Sequence, residues 1–295
     1  MNQTIIDLYD SFTHGGMSRR RFLDRLTVLA GGTVAANAML AMLQNNYALA
    51  EMVPESDSRI KTETVDIDAG GTKISTYLAK PASEETVVEA LPVKRFFPTV
   101  IVIHENRGLN PHIKDVTRRL AVEGFAAAGV DLLTPLGGTP TDEDKARDMI
   151  GQLKAPDVTA WLRGVAANLR ARPDSNGKVG AVGFCWGGGA VNNLAVADPT
   201  LNAGVAYYGR QPDASKVAAI KAPLLLHYGG LDTNINPGIP AYEAALKAAG
   251  KDYQIFVYEG ANHAFNNDTN AARYNKEAAD LAWSRTLEFF KQHLA

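Results

Sequence analysis

The chain has 295 residues, of which 46% are hydrophobic and 21% charged, and its formal net charge is −2. This composition provides enough apolar side chains for a sizeable core, and the near-neutral charge excludes a protein that binds nucleic acid or anionic lipid through a basic surface. The single cysteine, Cys185, excludes an internal disulfide.

The N-terminal segment has the features of an export signal. Its sequence SRRRFL at 18–23 matches the twin-arginine pattern, and an apolar, alanine-rich stretch follows at 26–43. The triplet Ala-Leu-Ala at 48–50 has the small-x-small form of a signal-peptidase site. We therefore predict a signal peptide over 1–50, recognised by the twin-arginine export machinery, and a single mature domain over 51–295 in the bacterial periplasm.

Cleavage near Ala50 is not the only outcome that this segment allows. The apolar stretch is close to the minimum length that spans a bilayer, so an uncleaved membrane anchor is an alternative, although Asn37 and the glycine pair at 31–32 disfavour it. If the signal is not used, the protein stays in the cytoplasm. An amphipathic surface helix is the least favoured alternative.

Apolar runs that alternate with helical patterns follow the N-terminal segment. Two runs separated by DAGGT predict an antiparallel hairpin, and the later alternation predicts a mainly parallel sheet with helices on both faces. Residues 81–94 form a polar connection, and the segment 134–157, rich in Gly, Pro and charge, is the best candidate for a cap. The predicted strands are 62–67, 73–78, 98–103, 125–130, 178–184, 203–208, 223–228 and 253–258, and the predicted helices are 112–123, 141–154, 158–170, 188–197, 239–249 and a last helix that ends near 293.

The sequence GFCWG at 183–187 lies between a predicted buried strand and a predicted helix. A Gly-x-nucleophile-x-Gly turn holds its central residue in a strained conformation, so the residues two positions away must lack a Cβ. This pattern places Cys185 at a helix N-terminus, where the helix dipole favours the reactive thiolate. The alternative, a buried and inert thiol, is the commoner role of a lone cysteine, but the flanking glycines disfavour it.

Two further side chains complete the order nucleophile, acid, histidine. Asp232 follows the apolar run at 223–228, and His263 lies in the loop after the run at 253–258. Parallel sheets build their sites at the carboxyl ends of strands, so we expect both side chains at the same edge as Cys185. Alone, Asp232 would more often be a turn residue, and the joint spacing carries the assignment. No chemistry is assigned to His227, a predicted core residue, or to His14, His112 and His293, which have no motif and no paired spacing of a metal site.

This chain order is that of the α/β-hydrolases, in which the histidine transfers protons and the acid holds the histidine tautomer. In that fold the strand at 98–103 neighbours the nucleophile strand, and its loop provides one backbone N–H of the oxyanion hole. We assign that donor to Asn106 and the second to Trp186. The predicted fold is therefore an α/β-hydrolase fold, a mainly parallel twisted sheet with an antiparallel N-terminal hairpin.

Four short motifs extend this comparison: His-Glu at 104–105, GFCWGG at 183–188, YYG at 207–209 and GANHAF at 260–265. With these motifs, the chain from about residue 61 to its C-terminus resembles the dienelactone hydrolase family. The resemblance implies an ester or lactone hydrolase of the carboxymethylenebutenolidase type, which forms a thioester on its cysteine and needs no metal or organic cofactor.

The resemblance also implies roles for residues that the pattern alone leaves open. In the family, a glutamate at the position of Glu105 takes the proton of the resting thiol when substrate enters; without the resemblance, Glu105 would be interpreted as a solvated loop carboxylate. Dienelactone-cleaving members hold the substrate carboxylate with arginines, one of which corresponds to Asn267 here. Arg107 and Arg210 are candidate substitutes, or else solvated surface charges.

The favoured interpretation is a hydrolase with a triad of Cys185, His263 and Asp232 that acts on a small ester or lactone, with no nucleic-acid partner. Two alternatives stay open. One is a non-catalytic small-molecule-binding protein on the same fold, which the missing arginine would suit, and the other is a redox-reactive cysteine protein. The sequence predicts neither the natural substrate, including whether dienelactone itself is cleaved, nor the oligomeric state.

Overall fold

The computed structural model describes residues 1–49, 51–83, 85–88 and 91–295. In this part of the chain the strands are β1 (Ile60–Asp68), β2 (Lys73–Pro81), β3 (Glu85–Val88), β4 (Leu91–Lys94), β5 (Phe97–Ile103), β6 (Ala126–Val130), β7 (Ser175–Phe184), β8 (Ala203–Tyr207), β9 (Leu224–Gly229) and β10 (Tyr253–Tyr258). The helices are α1 (Gln3–Thr13), α2 (Arg19–Ala30), α3 (Thr33–Leu43), α4 (Pro111–Val122), α5 (Glu143–Ile150), α6 (Ala155–Arg170), α7 (Trp186–Ala197), α8 (Ile239–Ala248) and α9 (Lys276–Leu294).

Among the described strands, eight form one sheet in the order β1-β2-β6-β5-β7-β8-β9-β10. β1 and β2 form the antiparallel hairpin, β2 joins β6 antiparallel, and the remaining neighbours are parallel. β8 and β9 are buried along their whole length, as expected for parallel strands covered on both faces. Helices α6, α7 and α8 supply the core on one face, and α4 and α9 supply it on the other. The predicted mainly parallel sheet with its N-terminal hairpin is confirmed.

Some predicted elements differ from the observed ones at their ends. Helix α7 begins directly after Cys185 rather than at 188, because Cys185 is itself the N-cap residue. The helix predicted over 141–154 is the shorter α5, whose start is capped by the Asp142 carboxylate. The connection predicted over 81–94 contains β3 and β4, which pair as a separate two-stranded sheet.

The described part of the predicted signal peptide is folded against the domain. Helices α1, α2 and α3 pack around an apolar cluster in which the rings of Phe12 and Phe22 stack at 4.7 Å. A buried ion pair of 2.8 Å joins Asp10 on α1 to Arg273, which precedes α9. In addition, the Asn270 side chain donates to the backbone carbonyl of Leu43 at 2.6 Å. These contacts hold α1 and α3 against the segment between β10 and α9.

Export and cleavage stay predictions, and Ala50, at the predicted cleavage site, lies outside the described residues. No single helix in the described part of the chain has the length and hydropathy to cross a membrane. Helices α2 and α3 reach these values only as a pair, and the two are bent by 114° at the break between them.

Removing the charge of Asp10 is expected to weaken the attachment of the N-terminal helices. Asp10→Asn leaves the buried Arg273 guanidinium without its counter-ion, and the loss of one partner of a buried pair costs about 3 kcal/mol. Denaturant titration should show a lower free energy of unfolding, and limited proteolysis should cut faster before residue 50. The control is Asp7→Asn, an exposed position on the same helix. Equal stability and protease resistance of the two variants would contradict this account of α1.

Candidate active site

Backbone strain in the described part of the chain is concentrated at one edge of the sheet. Cys185 has φ 55° and ψ −114°, and the other non-glycine residues with positive φ are Tyr208, after β8, and Ala264, after β10. Strain of this kind persists where the surrounding structure enforces it, and such positions cluster at functional sites. The strands that carry these residues all end at the carboxyl edge, where parallel sheets build their sites.

The glycines around Cys185 are required by close backbone approach. A Cβ on Gly183 would lie 2.1 Å from the Gly187 carbonyl oxygen, and a Cβ on Gly187 would lie 2.4 Å from the carbonyl oxygen of Ile103. The turn that holds the thiol therefore fits only if both positions lack a side chain. This is the steric requirement that the sequence GFCWG predicts.

The next two glycines provide a matched test of that packing. A Cβ on Gly188 would lie 2.7 Å from the Tyr207 carbonyl oxygen, whereas on Gly189 its nearest neighbours are atoms of Arg210 at 3.6 Å. We expect Gly188→Ala to lower the free energy of unfolding by about 1–3 kcal/mol through overpacking. Gly189→Ala should be neutral or slightly stabilising, because alanine favours the helix. Denaturant titration of both variants measures the difference, and equal values would contradict the described packing of α7 against β8.

Asp232 and His263 meet beside Cys185. His263 lies in the loop after β10, and its Nδ1 donates to Asp232 Oδ2 at 2.5 Å. The second carboxylate oxygen, Oδ1, accepts the backbone N–H groups of Asn234 at 3.1 Å and Ile235 at 3.0 Å. All three side chains are buried. Because Nδ1 is held by the carboxylate, Nε2 of His263 is the ring atom available to the thiol.

A histidine that the sequence analysis left without a role completes this cluster. His14, the residue after α1, places its Nε2 3.5 Å from Cys185 Sγ and 3.1 Å from His263 Nε2. Its Nδ1 lies 2.6 Å from the carbonyl oxygen of Asp10. No local motif marks His14, since its position depends on the packing of α1 against the domain.

The charges of the cluster shift the pKa values of its members. Burial alone would raise the pKa of Cys185, but the neighbouring charges of His263 and His14 outweigh it and lower the pKa to about 6. Burial would likewise lower the pKa of His263, but the charges of Cys185 and Asp232 raise it well above its usual value. Burial opposes ionisation of Asp232 too, yet its pKa is lowered by the His263 charge. The favoured state is a thiolate and imidazolium pair held by a carboxylate.

This ionisation predicts a pH profile for alkylation. The thiolate is the reacting form, so the rate with iodoacetamide should fall as the pH drops through about 6. Because Cys185 is the only cysteine, total alkylation reports on this site alone. The chain unfolded in urea is the control, with an expected midpoint of about 8.5. Equal midpoints for the folded and unfolded chains would contradict a stabilised thiolate.

Glu105 is buried rather than solvated. One of its carboxylate oxygens accepts from Asn267 Nδ2 at 2.9 Å, and the other accepts from the Tyr208 hydroxyl at 3.5 Å. Asn267 therefore contacts the glutamate from the position where the sequence comparison expects an arginine. A small cavity is lined by Glu105 together with Cys185 and His263, so the glutamate lies in the same site as the nucleophile.

The two candidate arginines lie in different surroundings. The Arg107 guanidinium donates to the backbone carbonyl of Glu143 at 3.2 Å, and its Nε lies 3.7 Å from the Glu143 carboxylate. Arg210 is exposed and lines a cavity of about 680 Å³ that also contains Cys185 and His263. Arg107 does not line this cavity but lines the small one that contains Glu105, Cys185 and His263.

The residues assigned to the oxyanion hole line the same cavity as the nucleophile. Trp186 is the first residue of α7, so its backbone N–H lies outside the intrahelical ladder. Its ring stacks on His104 at 5.4 Å. The Asn106 side chain donates to the backbone carbonyl of Thr13 at 2.8 Å, which ties the loop after β5 to the end of α1. Both assigned residues line the 680 Å³ cavity.

Segment 134–157, predicted as a cap, contributes to this cavity. Arg147 and Ile150 on α5 and the following residues Gly151 to Leu153 form part of its wall, as do Cys185 and Trp186. The wall combines apolar side chains with the charged side chains of Arg147, Asp148 and Arg210. Such a cavity suits a small, largely apolar molecule with one polar reacting group.

The chain is similar to proteins of a known family. The dienelactone hydrolase family model matches residues 86–294, and a model described as YqhI-like matches residues 1–31. The chain is 32% identical over 289 residues to a "Putative carboxymethylenebutenolidase" of Methylorubrum extorquens, a match that covers 92% of this chain and 96% of that protein. It is 33% identical over 257 residues to a protein of the same description from Salmonella typhimurium, covering 82% of this chain and 91% of the relative.

A solved structure has the same fold. The crystal structure titled as a "Putative Dienelactone Hydrolase" of Klebsiella pneumoniae superposes with a TM-score of 0.69 at 30% identity. The superposition covers 79% of this chain and 99% of that one. The superposition therefore includes nearly all of the Klebsiella chain, whereas part of the present chain lies outside it.

Proposed function

Because the chain belongs to the dienelactone hydrolase family, we propose that it hydrolyses a small ester or lactone through a thioester on Cys185. The observation that carries this proposal is the orientation of His263. Its Nδ1 is held by Asp232 at 2.5 Å, which leaves Nε2 for proton exchange with the sulfur. A nucleophile, a base and a group that orients the base are the parts that covalent acyl transfer requires.

In the first half of the reaction the Cys185 thiolate attacks the substrate carbonyl. The oxyanion that forms accepts hydrogen bonds from the backbone N–H groups of Trp186 and Asn106. The tetrahedral intermediate collapses when the C–O bond to the leaving group breaks, and the His263 imidazolium gives its Nε2 proton to the departing alkoxide. The acyl group is then bound to sulfur as a thioester. A ring-opened lactone remains attached to the enzyme, because its alcohol and acyl group are one molecule.

In the second half water replaces the sulfur. Neutral His263 takes a proton from water, and the resulting hydroxide attacks the thioester carbonyl. The C–S bond breaks, the thiolate returns to its pairing with imidazolium, and the carboxylic acid leaves. Asp232 stabilises the imidazolium in both halves. Glu105, buried beside the nucleophile, is the proposed acceptor of the thiol proton whenever the resting sulfur is protonated.

Substrate selection follows from the cavity. Asn267 donates to Glu105, and Arg107 is paired with Glu143 at 3.7 Å, so both side chains already have partners within the protein. Arg210 is the remaining candidate, and it is exposed at the cavity. We therefore infer that no buried side chain binds a carboxylate of the substrate. Any negative charge on the substrate faces the solvent side of the cavity.

We also propose, from the SRRRFL motif and the triplet at 48–50, that the N-terminal segment directs export. Mass spectrometry of the N-terminal peptide from periplasmic and cytoplasmic fractions tests this. A periplasmic chain that begins at residue 51 supports export with cleavage. A chain that keeps residue 1 and is confined to the cytoplasm would contradict it.

The activity itself is tested with the full chain and a panel of aryl esters and of lactones with and without a carboxylate. Turnover that disappears after iodoacetamide supports a cysteine hydrolase. Binding of panel members without turnover, by a protein that circular dichroism shows to be folded, would favour the non-catalytic alternative. Oxidation of Cys185 by peroxide together with no hydrolysis would favour the redox alternative.

A further inference from the structure

Three metal-ligand atoms from distant parts of the sequence meet at the nucleophile. Sγ of Cys185 and one ring nitrogen each of His14 and His263 lie within 4.8 Å of one another. The two nitrogens are 3.1 Å apart, and the sulfur is 3.5 Å from Nε2 of His14. The catalytic triad accounts for the cysteine and His263 but gives His14 no role. Together the three atoms form a set of donors that a metal ion could bind.

When the two rings are neutral, each carries its proton on Nδ1, and each Nε2 atom therefore has a lone pair. His14 Nδ1 lies 2.6 Å from a backbone carbonyl, which can only accept, so this nitrogen carries the proton. His263 Nδ1 carries its proton for the same reason, since it faces the Asp232 carboxylate. Two lone pairs would then face each other at 3.1 Å. The contact needs a cation between the rings, either a proton on one imidazole or a metal ion.

Two of the three separations in the cluster are close to those of a tetrahedral metal site. With Zn–N bonds of about 2.05 Å and a Zn–S bond of about 2.3 Å, tetrahedral angles give an N···N separation of roughly 3.3 Å and an S···N separation of roughly 3.5 Å. The observed N···N separation is 3.1 Å and the separation of Cys185 Sγ from His14 Nε2 is 3.5 Å, while the ligand atoms of Cys185 and His263 lie within 4.8 Å of each other. Imidazole nitrogen and thiolate sulfur are both common ligands of Zn²⁺.

The surroundings of the two histidines match those of metal ligands. Ligating histidines usually donate their other ring N–H to a carboxylate or a backbone carbonyl, which fixes the tautomer. His263 donates to the Asp232 carboxylate, and His14 donates to the carbonyl oxygen of Asp10. Asp10 in turn is held by the buried Arg273. Both nitrogens are therefore oriented before any ion arrives.

We propose that the full chain binds Zn²⁺ through His14, Cys185 and His263, with the fourth position open to the cavity, and that the bound ion blocks hydrolysis. Binding converts the thiolate and both Nε2 atoms into ligands, and the proton shared by the resting cluster is released to water. The nucleophile and the base are then both occupied. The metal site stands independently of the reaction, whereas the inhibition rests on the proposed function. Cleavage after residue 50 would remove His14 and leave two ligands of the three.

The test uses Co²⁺ as a spectroscopic probe of the metal-free full chain. Tetrahedral Co²⁺ with a thiolate ligand gives a sulfur-to-metal charge-transfer band and intense visible bands, and Zn²⁺ displaces it. We expect one Co²⁺ per chain with these bands, and loss of the charge-transfer band in Cys185→Ala. His14→Ala should weaken Zn²⁺ affinity by at least about 100-fold. His293→Ala, a histidine outside the cluster, is the control and should bind as the wild type does.

The possible outcomes separate the metal site from the hydrolase. A wild-type chain without the charge-transfer band overturns the metal site, even if esters are turned over, and this result requires no variant to fold. Unchanged Zn²⁺ affinity in His14→Ala also overturns it. If the bands appear and no ester or lactone is cleaved, the metal site is upheld and the proposed hydrolysis fails. Where both hold, Zn²⁺ at saturation should abolish turnover in the wild type and in His293→Ala.

Discussion

Cys185→Ala is expected to lower kcat by at least about 10⁴-fold, the scale of loss when a covalent nucleophile is removed. The sulfur is the atom that forms the acyl intermediate, and no second cysteine exists to replace it. Steady-state kinetics with the best ester of the panel measures the effect. Wild-type protein alkylated by iodoacetamide is the matched control, since it blocks the same atom without changing the sequence, and both should lose activity equally.

Activity that survives in both samples would contradict the assignment of the nucleophile. Loss in the alkylated protein alone would indicate that the added group blocks the cavity while another residue performs the chemistry. Circular dichroism of both samples separates these results from unfolding. Alanine keeps the Cβ of cysteine and removes only the sulfur, so the loss should not reflect the fold.

Asp232→Asn is expected to lower kcat by about 10⁴-fold with little change in KM. The hydrogen bonds of the carboxylate explain why. Oδ1 accepts two backbone N–H groups, so an asparagine must place its carbonyl oxygen there and direct its NH₂ group at His263. That group donates to Nδ1 and moves the ring proton to Nε2. The imidazole can then no longer accept a proton from the thiol or from water.

Asp213→Asn is the control for this substitution. Asp213 is an exposed aspartate that caps a short helical turn by accepting the Ser215 N–H, and it lies outside the site. Its replacement should leave kcat and KM near the wild-type values. An Asp232→Asn enzyme with nearly full activity would mean that the His263 tautomer does not control the reaction.

The parts of the site that the sequence predicts best are those set by local geometry. The glycines at 183 and 187 flank Cys185 because a Cβ at either position would overlap backbone atoms. Asp232 and His263 could be placed because each follows an apolar run, and parallel strands bring such loops to one edge. These inferences need only the strand period and the direction of the strands.

The N-terminal contacts could not be predicted in the same way. His14 has no motif, and its position at the nucleophile depends on the pair formed by Asp10 and Arg273, which are far apart in the sequence. The export motif lies in α2 and includes neither Asp10 nor His14. Only the folded chain brings the histidine to the sulfur.

Asn267 shows a second limit of sequence reasoning. A pattern comparison treats it as a missing arginine and hence as a lost substrate contact. In the structure Asn267 donates to Glu105 at 2.9 Å, and both side chains are buried. A role in holding the glutamate is visible only when both side chains are seen together.

The central claim is a thioester on Cys185, and acid-quench mass spectrometry of the full chain tests it most directly. The enzyme is mixed with an activated aryl ester, quenched during turnover and digested, and the peptide that contains Cys185 is measured with and without hydroxylamine. We predict that this peptide gains the mass of the acyl group and loses it in hydroxylamine. Continued turnover with the acyl group on a serine or threonine peptide, or on none, would contradict the account.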